Sequence, residues 1–226
     1  MAIRRLQYQI DYVHIITFKE EYKEAVAPYF AFDNLEYGVD NESTIHESIR
    51  LIFKSENIAI ILRKEGITFI YEGDVEGLRN QNGIIKIFWD LYEKVKLFKG
   101  YSKTVRHHIV AHSVVLSDQE VIDSVIEKKQ YLNLNPFGKL DEFACIYQFK
   151  KDEFEYKFHF GNYSNKDIKN HDLTPFKTDY NSDLLNSVGF MGRLEIFEVE
   201  KTPTFSKFKS LLSKAENVFK EFSLDE

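Results

Sequence analysis

Residues 48–72, SIRLIFKSENIAIILRKEGITFIYE, decide the fold. Three β-rich runs, Ile49–Lys54, Ile58–Lys64 and Ile67–Glu72, are separated by short polar breaks at Ser55-Glu56-Asn57 and Lys64-Glu65-Gly66. Branched and aromatic side chains suit a pleated, half-buried surface, and breaks this short suit hairpins, so the spacing predicts a three-stranded meander. The run Ile58–Leu62 is nearly all apolar, as expected of a strand central in its sheet. A helix is predicted next, over about Gly83–Phe98. Ile84, Phe88, Leu91, Val95 and Phe98 form one stripe, Ile87 and Tyr92 widen it, and Asn82 and Gly100 serve as caps. Val105–Leu116 then returns as a long strand. Ser117 and Glu120 form a capping-box pair with Leu116 and Val121 as its hydrophobic staple, starting a helix that runs to about Lys128.

Upstream, Leu6, Tyr8, Ile10 and Tyr12 alternate with Arg5, Gln7, Gln9 and Asp11, which is the pattern of a strand with one buried face. Lys19–Ala27 has helical composition and is stopped by Pro28, and Phe30–Ser43 reads as a polar, turn-rich connection. Downstream, Tyr131–Lys139 is a connection containing Asn135-Pro136 and Gly138. A hairpin follows, with Phe143–Phe149 and Phe154–Phe160 flanking Lys150–Glu153 and Phe149 opposite Phe154. Tyr163–Asn186 lacks periodicity and reads as a long loop. Phe190–Val199 is a further strand, and Thr202-Pro203 opens a last helix with Phe205, Phe208, Leu212, Ala215, Phe219 and Phe222 on its apolar side. The expected class is α+β: antiparallel sheet with long amphipathic helices packed on one face. The arrangement is either two similar lobes, 1–130 and 131–226, or one continuous domain.

With 226 residues and 43% hydrophobic content, the chain has material for a sizeable core. A net charge of −6 and the lack of any Lys/Arg run argue against general capture of nucleic acid. One cysteine, Cys145, excludes an intrachain disulfide and a cysteine-based zinc site, and its apolar strand suggests a buried, inert thiol. No apolar run approaches the roughly 20 residues of a membrane helix, and no signal peptide follows Met1–Arg5. The expectation is a cytoplasmic protein.

Chemistry has few footholds. Arg106-His107-His108-Ile109-Val110-Ala111-His112 is the densest histidine cluster, and on a strand it puts His108 and His112 on one face with Val110 between them. Those two are the candidate metal ligands, and His107, His108 and His112 the candidate catalytic residues. No carboxylate has a spacing that completes a metal site, so the plainer reading is structural. A nuclease-type set of Asp141 with Glu155 and Lys157 fails on distance along the hairpin, and Glu155, Lys157 and His159 read as the wet face of an alternating strand. Phe154, Tyr156, Phe158 and Phe160 share one face without interleaved cations, which fits a core and not a base-stacking platform. There is no phosphate-cradling glycine loop and no nucleophile elbow, so no cofactor is expected.

The element order, with Ile67-Thr68-Phe69-Ile70-Tyr71 as third strand, helix Ile84–Phe98 and then the long strand, resembles a sporadically distributed, numbered bacterial family with no established activity. The ending resembles it too: Arg193-Leu194-Glu195-Ile196-Phe197, a polar break, and a helix finishing Asn217-Val218-Phe219-Lys220-Glu221-Phe222. The chain lacks that family's proline-containing start and has Arg106-His107-His108 where the family has an Arg-x-Gly-type opening. The resemblance implies an α+β fold, supplies no catalytic residue, and suggests an accessory or sensor component of a bacterial defence or mobile-element system. The functional expectation is therefore a non-enzymatic binding protein that holds a protein partner or a second copy of itself, with a small nucleotide as a further ligand class. The alternative is a metal- or histidine-dependent phosphodiesterase or nuclease-like enzyme centred on His107, His108 and His112.

Overall fold

A computed structural model describes residues 2–15, 18–42, 44–128, 144–163, 187–199 and 202–221. The expected loop at Tyr163–Asn186, the connection at Tyr131–Lys139 and the boundary between residues 130 and 131 fall mostly or wholly outside them. Among the described residues nine strands form one antiparallel sheet: β1 (Ile3–Tyr12), β2 (Leu35–Asp40), β3 (Ser48–Phe53), β4 (Ile58–Arg63), β5 (Gly66–Glu72), β6 (Thr104–Leu116), β7 (Ala144–Lys151), β8 (Phe154–Tyr163) and β9 (Gly189–Val199). Their order is β2-β3-β4-β5-β1-β6-β9-β8-β7. The helices are α1 (Phe18–Val26), α2 (Val75–Arg79), α3 (Asn82–Val95), α4 (Gln119–Lys128) and α5 (Phe205–Glu221), and the class is α+β.

The predicted meander is β3-β4-β5, with Leu51 opposite Ile60 and Ile60 opposite Phe69. Alternation sends Ile49, Leu51, Phe53, Ile58, Ile60, Leu62, Ile67 and Phe69 to one face, where side chains from each of the helices named above join them in a single core. Tyr8 stands at its centre, its ring 5.0 Å from Phe208 of α5 and 5.9 Å from both Phe88 and Trp89 of α3. Phe154, Tyr156, Phe158 and Phe160 are core residues as expected, with Phe158 edge-on to Phe219 of α5 at 5.9 Å. On the edge beyond α3, Tyr12 and Tyr22 share a hydroxyl–hydroxyl hydrogen bond, and Tyr12 also donates to the Arg63 carbonyl at 3.0 Å.

Four local expectations are corrected. Phe30–Ser43 contains β2, whose Leu35, Tyr37 and Val39 pair with Phe53, Leu51 and Ile49. The β7–β8 turn is two residues, with Asp152 at φ 56, so Phe149 lies opposite Tyr156 and not Phe154. Asp is among the few residues that enter this region cheaply, which allows the tighter turn. Helix α4 starts after Asp118, whose carbonyl accepts from Val121 and Ile122; Leu116 and Val121 are both largely exposed, so the staple does not form. Cys145 is only partly buried, because β7 is an edge strand.

Gly189 sits where β8, β9 and β6 converge, opposite both Leu116 and Tyr163. A methyl group there would collide with the Val115 carbonyl and lie 2.9 Å from the Tyr163 ring. Gly189→Ala is expected to lower stability by about 1–3 kcal/mol in denaturant unfolding; an unchanged midpoint would show that the two strands separate freely at this end.

Candidate functional site

The three histidines of β6 are divided by the geometry that the strand imposes. Period two puts His107 beside Ile109 and Ala111 on the helix-covered face, and His108 and His112 on the other. The structure does not bring the three together. His108 and His112 share a face, yet four residues of strand set them about 13 Å apart, with buried Val110 between them. Among the described residues no three His, Cys, Asp or Glu side chains converge to hold a metal.

His107 is fully buried and belongs to a chain of polar groups through the core. Its Nδ1 lies 3.1 Å from the Tyr8 hydroxyl, and its Nε2 lies 3.2 Å from Oε2 of Glu198, its cross-strand partner on β9. The second Glu198 oxygen lies 3.2 Å from Lys207 Nζ on α5. A proton on Nε2 facing the carboxylate leaves Nδ1 to accept from the phenol, and the His107–Glu198 and Glu198–Lys207 approaches are ion-pair distances. Burial, reinforced by Tyr92 and Glu198, holds the Tyr8 phenol well above its ordinary value, so it stays protonated. Tyr8, His107 and Glu198 are closed beneath α3 and α5, while Lys207 is partly exposed. Their effect is to tie α5 to β1, β6 and β9.

The second face of the sheet is polar and yet largely buried along its centre, where Arg5, Thr68, Glu72, His108, His112 and Glu195 lie. Gln7 donates to Gln9 at 3.1 Å, Gln9 to Asp11 at 2.5 Å, and Arg106 Nε to Asp11 at 2.6 Å. His108 stacks on Phe197 with ring centres 5.0 Å apart, and Arg106 stands 5.8 Å from that same ring. Burial is the main reason the His108 imidazole is held below its ordinary value of 6.5; Asp11 opposes this and Arg106 reinforces it. On β8, Glu155, Lys157 and His159 lie on this face opposite Phe197, Glu195 and Arg193, as the alternation predicted.

Sequence reading missed Tyr8, Glu198 and Lys207. One signal was there: Glu198 continues the apolar series Leu194, Ile196 at period two, and His107 precedes Ile109 and Ala111 in the same way. A charged residue on a core face calls for a buried partner.

Two tests follow from the separation of the faces. Glu198→Gln is expected to cost about 1–3 kcal/mol of stability, and Lys207→Met under about 1 kcal/mol because that amine is partly exposed; the reverse order in denaturant titrations would contradict the network as drawn. For His108, the unfolded chain takes up a proton more readily than the folded one. Stability therefore falls as pH drops below 6.5, until the folded imidazole itself titrates. His108→Gln should flatten that decline, and an unaltered slope would place the titration elsewhere.

No protein-family model matches the chain, and no curated protein matches it. Among solved structures it is similar to the rolling circle replication initiator protein from Geobacillus stearothermophilus, over 96% of this chain and 78% of that one, at 10% identity and a TM-score of 0.27. A likeness at that level carries neither fold nor function across to this chain.

Proposed function

We propose that the chain is a non-enzymatic binding protein that pairs strands along β7, and that the occupant of this edge is a second copy of itself. The observation that carries the reading is the edge. Among the described residues β7 ends the sheet, and Ile146, Tyr147 and Phe149 along it are 60%, 53% and 43% exposed. An edge strand with apolar side chains and unpaired main-chain groups is a template for another strand. The opposite edge, β2, is more heavily charged: Asp40 pairs with Arg50 at 2.6 Å and Glu36 with Lys54, where β7 has Lys150 paired with Glu155 near its turn.

We also infer two similar lobes, β1-α1-β3-β4-β5-α3 and β6-α4-β7-β8-β9-α5, joined where β1 meets β6. In that correspondence β7 answers to β3, and β3 carries β2 on its outer side. The place beside β7 is thus one that a strand fills in the other lobe. A two-fold, antiparallel pairing centred on Tyr147 sets Cys145 against Phe149 and Lys150 against Ala144, so no like charges meet. A parallel pairing would align the lysines, which disfavours it. An accessory or sensor role in a bacterial defence or mobile-element system, in the cytoplasm, is supported by the element order described above and by the single cysteine. An enzymatic centre at His107, His108 and His112 finds less support, since alternation divides them.

Sedimentation velocity over a concentration series tests the pairing. Wild-type protein is expected to dimerise, and Tyr147→Lys with Ile146→Lys to stay monomeric with an unchanged far-ultraviolet spectrum. A wild-type protein that is monomeric throughout, or a dimer that survives both substitutions, overturns it.

A further inference from the structure

A cleft of about 330 Å³ opens in the helix layer between α2 with the start of α3 on one side and α5 on the other. Its size lies at the lower end of small-molecule sites. Leu78, Ile85, Phe208 and Leu212 make an apolar floor, and the Phe205 ring forms part of one wall. The rim differs in character. Arg79 and Lys209 stand on opposite walls, with Asn82 and Ser213 beside them. Lys209 lies 4.3 Å from the centre of the Phe205 ring, and among the described residues no carboxylate pairs with it. Arg79, at the end of α2, is held at 3.0 Å by Glu216 of α5. Asn82 belongs to the first turn of α3, a 14-residue helix whose N-cap, Gln81, gives no side-chain hydrogen bond. The positive end of that helix therefore adds to the charge of Lys209 at the mouth.

We propose that this cleft binds a small amphipathic anion, with an apolar or aromatic body on the floor and one carboxylate or phosphate at the rim between Arg79 and Lys209. The match of an apolar floor to a cationic mouth is what selects this class. A neutral ligand of the same shape would leave Lys209 without a carboxylate or phosphate beside it, and a cation would be repelled by it, whereas Arg79 already has Glu216. The site is separate from the β7 edge, so the two readings stand or fall independently.

The chain's single tryptophan gives a direct readout, because Trp89 lies 6.5 Å from the Phe205 ring. Decanoate, decyl phosphate and adenosine monophosphate are titrated against the full chain, with decanol as the neutral control. Binding is followed by Trp89 emission and by calorimetry. The expected result is saturable binding of at least one anion and much weaker binding of decanol. Which anion binds best distinguishes an acyl carboxylate, an acyl phosphate and a nucleotide as the source. Lys209→Glu, at an exposed position, should weaken binding by about tenfold or more, and Ser213→Trp, which fills the mouth, should abolish it. The β7 substitutions Ile146→Lys and Tyr147→Lys should leave it unchanged. The proposal is overturned if no anion gives heat or an emission change, if decanol binds as tightly as decanoate, or if Lys209→Glu and Ser213→Trp bind like wild type.

Discussion

The pairing of β1 with β6 is the interaction on which the rest of the structure depends. Strands from opposite ends of the first half meet in antiparallel register, Leu6 on Ala111, Tyr8 on Ile109 and Gln9 on His108. β1 carries β5 on its other side, and β6 carries β9. Without this ladder the first five strands and the last four have no common sheet. Closing it brings together residues such as Tyr8 and His107, 99 positions apart in the chain, and contacts of that separation cost loop entropy before they return any burial. The return comes from Tyr8, which fills the gap between α3 and α5 and gives the core its aromatic centre.

The same ladder sorts the chemistry. Each strand near the seam shows one apolar face to the helices and one polar face away from them, so neighbouring histidines have different fates. His107 is drawn into the core and must be satisfied there, by Tyr8 and Glu198. His108 is stacked on Phe197 and held below its ordinary value by burial. A cluster that looks like one site in the sequence is divided between two opposite faces of the sheet. The features open to a partner lie away from the seam, at the β7 edge and in the cleft between α3 and α5.

Local pattern was enough to read much of this. The meander, α3, the aromatic face of β8 and the apolar side of α5 all follow from periodicity that tertiary contacts reinforce. β2 was hidden because Glu36, Gly38 and Asp40 alternate with its apolar residues, and in an edge strand that pattern looks like a turn. α2 was hidden because it is five residues long and rests on one cap, Asp74 accepting from the Gly77 amide at 2.6 Å. The order of strands was beyond reach for a deeper reason. Which apolar face packs on which is set by pairing between distant strands, and period two is the same in all of them. That is also why Glu198 and Lys207 were missed as partners of His107, and why the exposure of Cys145 was misjudged.

The central claim is that β7 is a working edge, and amide hydrogen exchange measures it most directly. Among the described residues no strand pairs with the main-chain amides of Ala144–Lys151 that point away from β8. If a second copy pairs there, their exchange slows as protein concentration rises, while the amides of β2 at the other edge keep their rates. If the β7 amides exchange as fast at high concentration as at low, the edge is not used in this way and the account of the protein as a strand-pairing binder is wrong.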